Sequence, residues 1–356
     1  MAIMTDPQDQ LHRMLLRLAG RLPDVVVTDC RTWLADGLCA EVAQAVSYAA
    51  IVHDLVLREP DAALLTQVLV DAGEDVDALV LATAREPRAP AYGAAPVGPD
   101  VLAQHGGTIP FTLDLTRPPD VPPRDYAETD ALDRTAVAAV AAAPGRPQAL
   151  WRCWRYPPPG TTPAQPRRLY LILADTALVQ VTEHVRRALA DGGESSPQVE
   201  VFDDPDGGLP AYHRNSLECA ALLWTASTAP PPRMAPLPDD FVGAHRAASA
   251  GDGAGLDGPE RSAVLAYLDA GVPLLIAHHT AADVLDPRQE AQVPVAYRTD
   301  GEWIWGDAAA YYLEWYGLPP HGDLLDTIRR REYELPAVDF VAVHRALSAL
   351  YRRDVD

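Results

Sequence analysis

Between Leu150 and Thr225 the chain alternates strand-like with helix-like segments, and that alternation limits its fold more than any other feature. Leu150 to Tyr156, Leu169 to Ala174, Gln198 to Phe202 and Ala220 to Thr225 are short apolar runs of strand length. A helix over Ala177 to Ala190, stopped by Asp191-Gly192-Gly193, and a shorter one around Ala211 to Leu217 separate the last three. Parallel neighbours need such crossovers, which place helices on the faces of a sheet. The expected class is α/β, with a mostly parallel or mixed sheet flanked by helices. Pro157-Pro158-Pro159-Gly160, between the first two strands, suits a long hairpin connection instead.

Helices are expected before this core. Leu11, Leu15, Leu16 and Leu18 form an apolar stripe, Asp24 stands as an N-cap before Val25 to Ala35, and Gly37 fits a C′ stop. Two more helices follow, from about Ala40 to Leu57 and from Asp61 to Ala72. The chain then divides into an α-helical domain over 1–88, a Pro/Gly-rich connector over 89–128 with one strand at Thr108 to Leu115, and an α/β domain over 129–228 that opens with a helix from Asp130 to Ala142. A loop over 229–257 and an α/β continuation over 258–356 complete it. In the latter, Pro259 starts a helix over Glu260 to Asp269, Gly271 ends it, and Val272 to Ala277 reads as a buried strand. C-terminal helices follow a hairpin.

Charge narrows the partners. Fifty acidic residues against 29 basic ones give a net charge of −21, which repels phosphate backbones and anionic lipid. Nucleic acid and membrane are therefore not expected, whereas a basic protein partner is. The longest apolar stretches fall short of the ~20 residues that span a bilayer, and Met1 to Asp6 begin no basic, apolar leader, so a cytoplasmic location is expected. Every basic residue is arginine. Without lysine there is no Walker-A loop, no Schiff base and no kinase strand lysine in their usual form. The four cysteines lack C-x-x-C spacing and read as small buried hydrophobes. No cofactor is implied.

Val293 to Trp315 is the most distinctive segment. Asp300-Gly301 between strand-like runs is a hairpin signal, and Asp307 is placed to cap a helix that Gly317 and Pro319-Pro320 terminate. Trp303 and Trp305 share one strand face, while Tyr311 and Trp315 share a helix face beside Tyr312 and Tyr316. Two readings stay open: a packed aromatic core, or a partner-binding surface formed by Arg298, Asp300, Trp303, Trp305, Tyr311, Tyr312 and Trp315.

Other motifs carry less. His278 and His279, followed by Asp283, are the candidates for a metal, but adjacent histidines at a strand end point apart and neither H-E-x-x-H nor H-x-H occurs, so a solvated loop without metal is expected. Asp203 to Gly208 lacks the ligand pattern of a calcium loop and reads as a polar turn. Gly251-Asp252-Gly253-Ala254-Gly255 follows no strand, and no G-x-S-x-G elbow is present. An enzyme of unrecognised class would place its pocket at the strand ends near Asp175, Thr225 and His278.

Tyr297-Arg298-Thr299-Asp300-Gly301-Glu302-Trp303-Ile304-Trp305, followed by Tyr311-Tyr312-Leu313 and Gly317-Leu318, resembles the R-T-D-G-x-W-I-W…Y-Y-L pattern of an uncharacterised actinobacterial family. Leu209 to Tyr212, Ala220 to Trp224 and Val264 to Leu275 are also similar, so the resemblance covers roughly Arg168 to Arg330. It brings no catalytic residues. Its association with toxin–immunity and secretion gene clusters implies a protein-binding, immunity-like role. The expected function is thus a non-catalytic protein-interaction module using an acidic surface and the aromatic segment.

Overall fold

The computed structural model describes residues 6–74, 92–116, 128–158, 165–205, 208–238, 243, 245, 256–276, 279–288 and 291–353. They form an α/β fold in two compact units, Met1–Thr228 and Ala229–Asp356.

The first unit begins with helices α1 (Pro7–Leu18), α2 (Asp24–Ala35), α3 (Cys39–Val52) and α4 (Glu59–Asp71). Leu11, Leu15, Val27, Leu34, Val42, Val46 and Leu65 make their shared core. The first cap departs from expectation. Asp24 lies inside α2 after Pro23, and its carboxylate accepts from Arg155 at 2.5 Å instead of capping. A guanidinium within reach offers a charge-assisted bond, stronger than a bond to a backbone N–H.

Within the stretch read as connector, β1 (Gly93–Ala95), α5 (Pro99–His105), a single 3₁₀ turn at Gly106–Thr108 and β2 (Leu113–Asp114) are ordered, so the expected strand is shorter and preceded by a helix. Residues 89–91 and 117–127 of it, and residues 75–88 of the expected helical domain, lie outside the described residues. Then come α6 (Ala131–Ala142), β3 (Pro147–Tyr156), β4 (Arg167–Ala174), α7 (Leu178–Asp191), β5 (Gln198–Phe202), α8 (Ala211–Glu218) and β6 (Ala221–Thr225). The sheet runs β2-β6-β3-β4-β5, with β1 also on β3. It is mixed. β3 is antiparallel to β1, β4 and β6, while β4–β5 and β2–β6 are parallel. β3 and β4 are consecutive antiparallel neighbours with only residues 157–166 between them, fewer than the crossover of a parallel pair needs.

Helices and sheet are joined by a buried carboxylate. Glu200 on β5 is 1 % exposed, and its Oε2 accepts from Arg31 of α2 and sits 3.0 Å from Nε2 of His213 on α8. Burial by itself pushes the carboxyl up, yet Arg31 and His213 outweigh it and bring it down to about 2. Nearby, His12 of α1 donates from Nε2 to the carbonyl of Val201 at 2.8 Å. Burial, reinforced by Arg31, outweighs that bond and pushes the imidazole down to about 4. A second buried carboxylate, Asp133, closes the capping box of α6 and receives Arg152 and the Tyr170 hydroxyl.

The second unit contains β7 (Arg233–Met234), α9 (Gly258–Ala270), β8 (Val272–Leu275), β9 (Thr280–Ala281), β10 (Val293–Pro294), β11 (Tyr297–Thr299), β12 (Trp303–Gly306), α10 (Ala308–Tyr316), α11 (Gly322–Arg330) and α12 (Phe340–Arg353). One sheet has the order β7-β12-β11-β8, and β9 pairs with β10. β8 is an edge strand, not a buried one: Pro273 is exposed and its neighbours are half-buried. An edge position tolerates a proline that has no N–H to give. Among the described residues no helix is long and apolar enough to cross a membrane.

Two outcomes follow for the first unit. Arg31→Met strands the Glu200 carboxylate and should cost about 3–5 kcal/mol in urea denaturation, with most of the loss recovered in Arg31→Met/Glu200→Leu. His12 binds its proton near pH 6.5 when unfolded but only near 4 when folded. The unfolded state therefore takes up the extra proton in that window, and stability falls as the pH falls through it, by on the order of 3 kcal/mol. Urea midpoints measured across this range should show the decline in the wild type and a flatter profile in His12→Gln.

Candidate functional site

The R-T-D-G-E-W-I-W segment folds as a latched hairpin. Thr299 pairs with Ile304, so the turn is centred on Gly301-Glu302, one residue later than the expected Asp300-Gly301. Gly301 takes φ 87, the left-handed value that a first central residue needs in this kind of hairpin turn. Asp300 stands before the turn and holds it from the side. Its Oδ1 accepts from the N–H groups of Glu302 and Trp303 at 2.9 and 2.6 Å, and its Oδ2 accepts from Tyr267 and Arg331 at 2.7 and 2.5 Å. It is 3 % exposed.

The other residues of the segment are equally committed. Arg298 donates to the carbonyls of Asp269 and Gly271, the exposed C-terminal end of α9, and from Nε to Asp307 at 2.8 Å. Asp307 is therefore an ion-pair partner and makes no side-chain cap to α10. Trp303 and Trp305 are both buried, as is Ile304 on the opposite face, because α9, α11 and α12 leave neither side of the hairpin to solvent. Trp303 donates its indole N–H to Thr327 and lies under Arg233 at 4.0 Å, and Trp305 donates to the carbonyl of Leu268. Gly271 is required by that packing, since a Cβ there would lie 2.3 Å from the Trp305 ring. Asp300, Trp303 and Trp305 are thus buried in the fold, and the half-buried Arg298 is engaged by the helix end and Asp307.

The aromatic helix that follows is different. Tyr312 is buried and its hydroxyl accepts from the Val284 N–H, but Tyr311 and Tyr316 are half-buried and Trp315 is 68 % exposed. Tyr311 and Trp315 tilt against each other with centroids 6.3 Å apart. Beneath them, Asp283 is 1 % exposed, and its Oδ2 accepts from the hydroxyls of Tyr311 at 2.9 Å and Tyr316 at 2.5 Å. Its Oδ1 accepts from the N–H groups of Leu285 and Asp286. Burial raises this carboxyl, but the two tyrosines and the backbone N–H groups outweigh it and hold it low. Burial and the bond to Asp283 push Tyr311 up to about 12, and the same bond, ahead of burial, raises Tyr316. Carboxylate and hydroxyls therefore keep one protonation state across neutral pH. The arrangement is a rigid aromatic platform on a fixed negative charge, suited to holding a cation, not to moving protons.

Of the metal candidates, His278 lies outside the described residues, His279 is exposed and Asp283 is hydrogen-bonded to Tyr311 and Tyr316; among the described residues no group of three or more His, Cys, Asp or Glu side chains could hold a metal ion. Asp283 as anchor of the platform, and Tyr316 as its second arm, escape a reading of the sequence because the partners lie 28 and 33 residues apart. The i, i+4 spacing of Tyr312 and Tyr316 is the only local signal. Of the strand-end residues considered for an enzyme pocket, Asp175 accepts from Gln148 Nε2 at 3.1 Å and Thr225 donates to the Gln148 carbonyl at 3.0 Å, both within the first unit. Comparison with known proteins finds no match among family models, curated proteins or solved structures.

The latch gives a direct outcome. Asp300→Ala orphans two backbone N–H groups, a tyrosine hydroxyl and Arg331, and should destabilise the second unit by about 3 kcal/mol or more. Asp300→Asn, which keeps an acceptor for the turn, should lose less, both being read from chemical denaturation by tryptophan fluorescence.

Proposed function

We propose that this chain is a non-catalytic protein-interaction module, immunity-like in that an acidic protein captures a basic partner, and that the Tyr311–Trp315–Tyr316 platform is where it does so. The observation that carries the reading is the exposure of Trp315 directly beside a tyrosine pair locked onto the Asp283 carboxylate. Trp together with Tyr is the usual anchor of an interface, and here an exposed indole stands beside two tyrosines. An exposed indole face attracts guanidinium or ammonium groups, and the net charge of −21 draws a basic chain from a distance. Among the described residues Trp315 is the only exposed tryptophan, and the difference in emission between wild type and Trp315→Phe isolates its signal.

The test is a fluorescence titration with an arginine-rich peptide and a glutamate-rich control. The arginine-rich peptide should shift Trp315 emission saturably, more weakly at high salt, and Trp315→Ala should weaken binding roughly fivefold to tenfold while leaving stability within about 0.5 kcal/mol. Equal affinity of Trp315→Ala, or equal binding of the acidic control, would sink the proposal.

A further inference from the structure

A second surface, in the first unit, stands outside everything assigned above. Helix α3 is apolar nearly all round: in Cys39–Val52 only Glu41, Gln44 and Ser47 are polar besides Tyr48. A helix of that composition normally has both faces covered. Here Val42, Ala43, Val46 and Ala50 fill the helical core, yet Tyr48, Ile51 and Val52 on the other side are 70 %, 47 % and 55 % exposed. Helix α2 is two-faced in the same manner. Val27, Cys30, Arg31 and Leu34 point inward, Arg31 to Glu200, while Val25 is 60 % exposed.

Between the outer faces runs a cleft of about 160 Å³ lined by Val26 and Trp33 of α2 and by Ala45, Tyr48, Ala49 and Val52 of α3. Val26 and Trp33 are seven residues apart, and Ala45, Tyr48, Ala49 and Val52 follow the i, i+3, i+4, i+7 spacing of one helix face. The two alanines leave a recess between larger walls. A void of ~150 Å³ accepts a benzene-sized group, so a leucine or phenylalanine knob fits.

Charge says what covers it. From Asp24 to Asp54 the acidic residues are Asp24, Asp29, Asp36, Glu41 and Asp54, and the one arginine, Arg31, is buried. Asp29 and His53 are in the cleft wall, and Asp36, Glu41 and Asp54, at or beside the ends of the two helices, are exposed. An apolar groove between two helices, with Asp29 and His53 in its wall and no exposed arginine from Asp24 to Asp54, complements a helix with an apolar stripe and flanking basic residues. A second copy of this chain would set acid against acid, and anionic lipid would be repelled. We infer that the α2–α3 groove is a docking site for a basic amphipathic helix of a protein partner, seated as a third helix with one apolar side chain in the recess.

The experiment titrates a fluorescently labelled Leu/Arg amphipathic helical peptide into the full chain, followed by anisotropy. Saturable one-to-one binding is expected, and Tyr48→Glu/Val52→Glu should weaken it by about tenfold or more. Added glutamates would strengthen the capture of a basic peptide if charge alone held it, so a loss reports the apolar contact. Glu41→Arg should also weaken binding, and all titrations are run in the Trp315→Ala background, so that the platform of the second unit does not contribute to the signal. Thermal melts of each variant check that the fold persists, as exposed positions should allow. Unchanged affinity in Tyr48→Glu/Val52→Glu, or equal binding of a Leu/Glu peptide, overturns the inference. So does self-association in sedimentation equilibrium, or flotation with phosphatidylcholine vesicles, that Tyr48→Glu abolishes; these would make the occupant a second copy or a lipid surface.

Discussion

A carboxylate sealed inside a protein is tolerable only if cations and donors surround it, and Glu200 imposes that condition on the whole first unit. The strand that carries it must lie under α2, because Arg31 neutralises it, and against α8, because His213 completes it. Once Arg31 is committed inward, the register of α2 is settled and Val26, Asp29 and Trp33 turn to the opposite side. The Asp24–Arg155 ion pair ties the start of the same helix to β3. The outward faces of α2 and α3 are thus a consequence of how the helices are anchored to the sheet.

The second unit uses the same device on a smaller scale. Asp300 gathers two backbone N–H groups, Tyr267 and Arg331 around one hairpin, and Glu302 adds a second acceptor for Arg331 and one for Arg233. The R-T-D-G-x-W-I-W pattern has a folding explanation at nearly every position: Arg298 satisfies carbonyls at a helix end, Asp300 holds the turn, Gly301 supplies the left-handed φ, and both tryptophans pack inside. What the fold leaves outside on the helix that follows is Trp315 beside Tyr311 and Tyr316, the surface on which the proposed partner binding rests. Because the chain has no lysine, every such ion pair involves arginine or histidine, and arginine's planar fork serves two acceptors at once.

Local patterns predicted the elements well and their polar partners poorly. Helices α1 to α4, α6 and α7 and the strands from β3 to β6 stand close to where hydrophobic spacing puts them. Asp24 and Asp307 occupy cap-like positions in sequence, yet each is taken by an arginine that only tertiary structure brings near, Arg155 and Arg298. Helix α5 hides in a Pro/Gly/Ala-rich stretch because it is short and only half-buries Val101 and Leu102 against the core. Period-two reasoning assigns Trp303 and Trp305 one face and Ile304 the other, but cannot say that both faces are covered. Asp283, which beside His278 and His279 suggests a metal ligand, is spoken for by two tyrosines on a distant helix. For Asp24 and Asp283 the missing information is a contact of long sequence separation, and for Asp307 it is the hairpin that brings Arg298, nine residues away, alongside.

If the exposed platform is where a partner binds, contact should be detectable at Trp315 in cells that express the protein. Site-specific photo-crosslinking from position 315, with the attached peptide mapped by mass spectrometry, measures this directly. A discrete protein adduct whose contacting segment is rich in arginine or lysine is the predicted result. An adduct confined to acidic or uncharged segments, or none from 315 while positions elsewhere on the surface crosslink to a protein, would contradict it.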